Sequence, residues 1–306
     1  MLFPLLILSV FLAIYSLGVS PAVFGGDSGD IVLSYYFAGV AHPPGYPLNT
    51  VLGWLLTRLP VGETFAYRAN FVSAIYSSLA ISILFLALVR LIGDKLLALA
   101  AVSALGFIHL YWLYAHNAEV FQLSLVLVSA SLLFLVLSID QKAGSKKLKF
   151  YVLLTFFFLG LAVFHHYTNG LLVPGFVYLL VKKRIIPFGK WRQNAYALLA
   201  FLSGFLPYIF VPFAALRKTP VNWDDPSNLD GFLRLITRAD YGIFVAGPDL
   251  AGFSLPARFL QVFWYFKVIA ADFTYAGIFL LILGIYYLFI KINKRVWCDV
   301  QLWPFK

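Results

Sequence analysis

Long apolar runs separated by short polar punctuation dominate the chain. Runs able to cross, or nearly cross, about 30 Å of hydrocarbon occupy residues 2–20, 69–91, 96–115, 118–138, 149–163, 168–181, 195–216 and 262–290. The fifth and sixth are short, as expected of helices that meet in a polar cavity rather than crossing lipid alone. The pattern predicts an all-α integral membrane protein, a polytopic helical bundle of about eight transmembrane helices. Residues 46–68 mix polar and apolar positions and read as an interfacial or re-entrant piece. The first run lacks a basic leader and feeds into further spans, so it reads as a span rather than a cleaved signal. With no fixed-period repeat and no low-complexity linker, residues 1–306 read as a single domain. Its first outer loop is 21–68 and its last is 217–261.

Composition sharpens this picture. The chain is 62% hydrophobic and 12% charged, against about 45–50% and about 25% in soluble domains, which excludes a soluble globular protein. One cysteine, Cys298, excludes a disulfide framework and a cysteine metal site. The net charge of +10 could suggest a nucleic-acid partner, but its distribution argues for topology. Arg90 and Lys95, then Lys142, Lys146, Lys147 and Lys149, then Lys182, Lys183, Arg184, Lys190 and Arg192, then Lys291, Lys294, Arg295 and Lys306 share one side when the spans are threaded alternately. By the positive-inside rule that side is cytoplasmic and holds both termini. Most acids then fall outside, so the chemistry is expected to face the extracytoplasmic (or ER-luminal) side. The tail WCDVQLWPFK after KINKR is not a span and reads as a truncated or atypical end.

The polar residues cluster in a few places. GGDSGD follows the first run and sets Asp27 and Asp30 three positions apart, side by side if helical. One reading is an N-cap with a solvated acid in the next turn. The other is a general base or a metal-binding carboxylate, since paired acids let one stay ionised while the other holds a partner. AHPPGYP at 41–47 forces a tight extended turn and fixes His42 and Tyr46. In YWLYAHNAEVFQL, a helix–turn–helix at the outer surface, His116 and Glu119 could share a proton or a hydroxyl ligand. Glu119 there reads either as a functional acid or as an ordinary acid at a helix N-terminus. The neighbours His165 and His166 of HHYTN point to different sides of a helix and suit a cavity wall better than one zinc ion. Arg217 closes the seventh run at headgroup level, where a guanidinium suits phosphate. Trp223 in NWDDP offers a face on which sugars stack. Residues 229–241 form an amphipathic surface helix, with Leu229, Phe232, Leu233 and Ile236 inward and Arg234 and Arg238 outward. Arg238 and Tyr241 could reach an anionic lipid-linked donor.

DSGD, AHPPGYP, AEVFQL, HHYTN, NWDDP and RADYG, in this order, resemble the membrane O-mannosyltransferase-like family of the GT-C glycosyltransferase superfamily, whose pattern is roughly DSGE, AHPPGYP, AEVY, HH and NWGDP. The match runs from about residue 20 to 245. Asp30 stands where the family has Glu, and Asp224 where it has Gly. The resemblance implies a GT-C-type bundle whose first extracytoplasmic loop carries the catalytic acid. It also implies a polyprenyl-phosphate donor of the mannose type and a protein, glycan or lipid acceptor. On that basis Asp27 or Asp30 deprotonates the acceptor hydroxyl, and Arg217 or Arg238 stabilises the departing phosphate. His42, Tyr46, His116, Glu119, His165, His166, Trp223, Asp225 and Tyr241 line the substrates. No cofactor is evident, no metal ligand set is evident, and a divalent ion stays open. The rival reading is a transporter or lipid flippase, disfavoured because the ionisable residues avoid the bilayer midplane.

Overall fold

A computed structural model describes residues 2–183, 185, 191–240 and 254–301. Contacts divide the chain into two compact units, residues 1–248 and 249–306. In the first unit α1 is Leu2–Ser16, α2 Ser28–Phe37, α3 Pro47–Leu56, α4 Phe65–Ile92, α5 Lys95–Gly106, α6 His109–Ala115, α7 Phe121–Ile139 and α8 Lys146–His165. After a 3₁₀ turn at Tyr167–Leu172 come α9 Val173–Lys182, α10 Trp191–Leu202, a 3₁₀ segment Ser203–Ile209, α11 Phe210–Leu216 and α12 Leu229–Thr237. The second unit is described by α13, Leu255–Gln301.

Among the described residues four helical segments are long and apolar enough to cross a membrane: Phe65–Ile92, Phe121–Ile139, Lys146–His165 and Asn194–Leu216. The expected span 96–115 is instead two helices, α5 and α6, bent by 72°, which makes five if the pair counts as one span. The chain is thus a multi-pass membrane protein. The expected span 168–181 begins as the 3₁₀ turn and continues as only the ten residues of α9. The segment expected to be interfacial holds the ten-residue α3, too short to cross. The expected last span lies within α13.

Helix starts are chemically marked. Thr64 accepts from the Tyr67 amide, Asp94 from the amides of Leu96 and Leu97, and Ser145 from the Leu148 amide. Each cap satisfies amides that have no partner inside the helix. The buried side of α4 is lined with small residues, Ala69, Ser73, Ala74, Ser77, Ser78 and Ala80 among them. In lipid, where apolar side chains gain little by leaving their surroundings, such residues let backbones approach and drive packing. Gly160 of α8 and Gly204 show how close that approach is. A Cβ on Gly160 would lie 1.9 Å from the Phe201 carbonyl oxygen, and one on Gly204 2.3 Å from the Gly160 backbone. Hydroxyls lock the remaining crossings: Tyr15 donates to the Gly106 carbonyl, Tyr111 to that of Ser77, and Ser131 to that of Thr155.

These crossings set the direction of each helix. Ser82 of α4 meets Pro4 of α1, while Asn70 near the other end of α4 donates to Ser20 and Ala22 just past α1. The Asn70 side-chain oxygen also accepts from the Ala118 amide, and His165 at the end of α8 bonds the Val120 carbonyl. The starts of α4 and α7 and the ends of α1 and α8 therefore gather at one end of the bundle. Arg90, Lys95, Lys142 and Lys146 mark the opposite ends of α4, α7 and α8.

Candidate active site

At the gathered end, α2 places Asp27 and Asp30 against the turn that follows it. Asp27 has helical backbone angles and makes no side-chain cap hydrogen bond. The capping reading of this acid does not hold, and its carboxylate is turned to His42 instead. Beyond α2 the chain reverses at Ala38, which is left-handed (φ 48°), and runs alongside residues 221–223. The Val40 amide donates to the Val221 carbonyl at 3.0 Å, and the Trp223 amide to the Val40 carbonyl at 3.3 Å. Gly39 must be glycine here, because a Cβ would sit 2.4 Å from the Val221 oxygen. His42 then opens the HPPGYP turn, closed by the Gly45 amide on the His42 carbonyl at 2.7 Å. Gly45 has a φ of +96° and packs on Leu235 of α12.

The acids and the histidine form one corner. Asp30 Oδ2 accepts from the His42 amide at 2.9 Å and lies 2.7 Å from His42 Nδ1. Its Oδ1 accepts from the indole N–H of Trp223 at 2.8 Å. An ionised carboxylate only accepts, so His42 donates from Nδ1 to Asp30, and its Nε2 donates to a second carboxylate only when it too carries a proton. That nitrogen is 3.5 Å from Asp27 Oδ2. Exposure separates the two acids: the Asp30 side chain is 17% exposed, the Asp27 side chain 65%. Asp30 is spoken for, while Asp27 faces open space.

A second wall lies beside this corner. Glu119 sits in the break between α6 and α7, 8% exposed, its Oε2 accepting only a long bond from the Val120 amide at 3.3 Å. Burial, and then the charge of Asp27, push its pKa from 4.5 up to about 7. Tyr46 stands with its ring 5.5 Å from that of His165 and 6.5 Å from that of His166. Burial raises the Tyr46 hydroxyl well above the usual tyrosine range, and the nearby Arg238 opposes this. His166 is half-buried against Phe121 and bonds Thr168, and burial followed by Arg238 lowers its pKa. The two histidines do diverge: His165 turns inward to Val120 and His166 toward the wall. His116 is elsewhere. Its Nδ1 bonds the Trp112 carbonyl at 2.6 Å, and its ring packs on Tyr15 and Trp112, so it braces α1 rather than partnering Glu119.

The stretch 217–240 closes the corner. Arg217 Nη2 donates to the Ala38 carbonyl, so this guanidinium helps clamp the loop to the end of α2. Asp225, exposed, accepts from the Asn222 side chain at 3.0 Å and braces the turn. Asp224 and Asp225 both take left-handed angles (φ 57° and 40°), the first at the position where the family pattern has Gly. In α12 the inward residues are Leu235, fully buried, with Phe232 and Ile236 packed beside it. Leu229 and Leu233, expected inward, are 72% and 46% exposed. The helix is turned by seating Leu235 on the HPPGYP turn and Gly231 tight against the carbonyls of Asp224 and Asp225. It ends at Thr237 because Arg238 is left-handed (φ 52°). Tyr241 lies outside the described residues.

Sequence reasoning passed over Tyr167 and Asn169. Tyr167 donates to the Ile236 carbonyl at 2.5 Å, and Asn169 to Ser124 and Ala162, so the HHYTN turn is tied to both α12 and α7. Their place inside that motif was the available signal. Among the described residues no group of three or more His, Cys, Asp or Glu side chains is arranged to hold a metal ion.

Comparison with known proteins adds the last observations. Residues 27–187 match the sequence model of the family described as protein O-mannosyl-transferase TMEM260 N-terminal domain, slightly more than half of the chain. The chain is 30% identical over 255 residues to the protein O-mannosyl-transferase TMEM260 of Mus musculus, covering 81% of this chain and 36% of that protein. It is 27% identical over 300 residues to the corresponding protein of Dictyostelium discoideum, covering 92% and 36%. The chain thus spans about a third of the length of these relatives. Among solved structures it resembles ArnT from Cupriavidus metallidurans, crystallised with undecaprenyl phosphate, with a TM-score of 0.51 and 20% identity over 71% of this chain and 42% of that one. At that identity the likeness speaks to the fold.

Proposed function

The chain belongs to the protein O-mannosyl-transferase TMEM260 N-terminal-domain family, and on that premise we propose that it forms the catalytic part of an inverting glycosyltransferase. It moves a mannose-type sugar from a polyprenyl-phosphate donor to a hydroxyl of a protein acceptor, Ser or Thr. The names of its relatives support the reaction class, and the lipid phosphate crystallised with ArnT supports the donor class. The observation that carries the assignment is the division of labour between the two acids. Asp30 has both oxygens occupied by donors, whereas Asp27 presents an open carboxylate.

Asp27 is therefore the general base. It takes the proton of the acceptor hydroxyl as that oxygen bonds to the anomeric carbon from the side opposite the phosphate. The bond from that carbon to the phosphate oxygen breaks with its electron pair, and polyprenyl phosphate leaves. The charge that develops on phosphate needs a cation fixed beforehand, because only interactions stronger in the transition state accelerate the step. Arg238 fits that part best of the two candidate arginines: its field reaches Tyr46 and His166 on the site wall. Arg217 commits its Nη2 to the clamp. No metal-mediated step is needed for this bookkeeping. The site faces the extracytoplasmic or ER-luminal side and both termini face the cytoplasm. This sidedness is supported by the placing of Arg90, Lys95, Lys142 and Lys146 at the ends of α4, α7 and α8 away from the site.

The test is transfer of labelled mannose from polyprenyl-phosphate mannose to an acceptor protein, in membranes carrying the full chain. Asp27→Asn is expected to lower the rate by about 10²–10⁴-fold, the usual worth of a positioned base. Full transfer by Asp27→Asn would remove Asp27 from the mechanism.

A further inference from the structure

The partner that orients Asp30 comes from the far side of the sequence. Trp223 is 193 residues away from Asp30, yet its indole N–H points at Oδ1. The approach is fixed at backbone level. Val40 and residues 221–223 exchange two amide bonds, Arg217 reaches the Ala38 carbonyl, and Gly39 admits the Val221 carbonyl where a side chain would block it. The indole also lies edge-on to the His42 ring, with centroids 6.4 Å apart and planes at 77°.

What the N–H does follows from how a carboxylate turns. The terminal torsion of Asp has a broad, two-fold preference and little stiffness of its own. With Oδ2 held by His42 and Oδ1 held by the indole, the carboxylate plane has one setting. Removing the indole donor frees that plane, and the imidazole that leans on Oδ2 loses its aim with it. Asp27 depends on that aim, because among the described residues the side chain paired to it is His42, through Nε2 at 3.5 Å. A stacking platform for sugar would not require the N–H, and here the N–H is in use.

We propose that Trp223 is a positioning residue for the catalytic acid: through Asp30 it holds His42 so that Nε2 faces Asp27. This rests on the reading of Asp27 as the base. The stretch 217–225 is then part of the catalytic apparatus, although Trp223 itself does not touch the reacting atoms.

Trp223→Phe separates this from sugar stacking, because Phe keeps an aromatic face and loses the donor. In the same mannose-transfer assay, Trp223→Phe is expected to lower kcat about tenfold with the donor KM within about twofold. A hydrogen bond to a charged group, partly exposed, is worth about that much. The double variant Trp223→Phe with Asp30→Asn is expected to be no slower than Asp30→Asn alone, since Trp223 acts through Asp30. A benzothienylalanine at 223, with sulfur in place of N–H and the same ring shape, gives the same kcat loss without disturbing packing. Wild-type kcat in both 223 variants, a raised KM with kcat unchanged, or additive losses in the double variant would each overturn the proposal. If Asp27→Asn transfers normally, the reading of the reaction falls; if Asp27→Asn is dead and both 223 variants are fully active, only the role of Trp223 falls.

Discussion

At the corner built from residues 27–46 and 217–225, Asp30 accepts from the amide and ring of His42 and from the indole of Trp223. At the wall built from residues 119–120 and 165–167, Glu119 has one long bond to its neighbour's amide and is buried, with the Asp27 charge close enough to act on it. The two acids face one site and are controlled by opposite means. Donors arranged around Asp30 fix its direction. Burial around Glu119 disfavours its charge and leaves its direction loose. One region supplies geometry and the other supplies an acid that changes state near neutral pH.

The harshest way to break this contrast is Asp30→Asn. The amide keeps the volume but loses the charge, and its NH₂ group must face either the indole N–H or the His42 donors, so one contact turns repulsive. Transfer is expected to fall about 10²-fold or more, with the protein still folded in detergent. A loss smaller than that of Glu119→Gln would mean that the wall, not the corner, sets the geometry.

Glu119→Gln probes the other mechanism through pH. The folded-state pKa, about 7, lies above the unfolded 4.5. Between those values the folded protein holds a proton that the unfolded chain has released, so stability is highest below 4.5 and declines as pH rises to 7. By pH 8 the ionised Glu119 costs about 3 kcal/mol, from 1.36 kcal/mol per pKa unit. Glu119→Gln removes that cost. Its thermal midpoint is expected to match the wild type at about pH 4.5 and to exceed it by several degrees at pH 8. Asp27 is the second cause of the shift, so Asp27→Asn should move the wild-type decline to lower pH. Parallel midpoints for Glu119→Gln and wild type across this range would show that burial does not govern the wall.

How much of this was legible in the chain follows from distance along it. DSGD and AHPPGYP are neighbours in sequence, and a short helix plus a rigid turn brings Asp30 and His42 together by local geometry alone. Nothing local says that Trp223 ends on Asp30. That contact is made by a two-bond bridge between Val40 and residues 221–223, too short to leave an alternating pattern. The capping role for Asp27 was a sound local inference overridden by a tertiary partner, His42. Span limits were readable where apolar runs carried a cap, as at Thr64 and Ser145. They were least readable at 96–115, where hydropathy is continuous and the chain bends at residues 107–108. The inward side of α12 was misjudged for a similar reason. Its Leu235 is selected by the glycine turn of another loop, which helical periodicity does not register.

The mildest test concerns whether the corner owes its shape to backbone or to side chains. Asp224 takes a φ of 57° in the turn that aims Trp223, at the position where the family pattern has glycine. A left-handed residue with a Cβ costs about 1 kcal/mol. Its side chain is 7% exposed and pairs with Arg234 at 3.9 Å, while its Oδ2 is buried without a hydrogen-bond partner among the described residues. Asp224→Gly relieves the backbone strain and removes the unbonded oxygen. Against that stand a long pair to a half-exposed arginine, worth less than about 1 kcal/mol, and the larger entropy glycine gives the unfolded chain, about 0.5–1 kcal/mol. The relief slightly exceeds the losses, so the thermal midpoint of Asp224→Gly in detergent should rise by a degree or two, with transfer within twofold of wild type. A fall of more than a few degrees would mean that the carboxylate at 224 and its pairing with Arg234 hold the turn. The corner would then be set by side chains on both segments rather than by the backbone bridge beneath them.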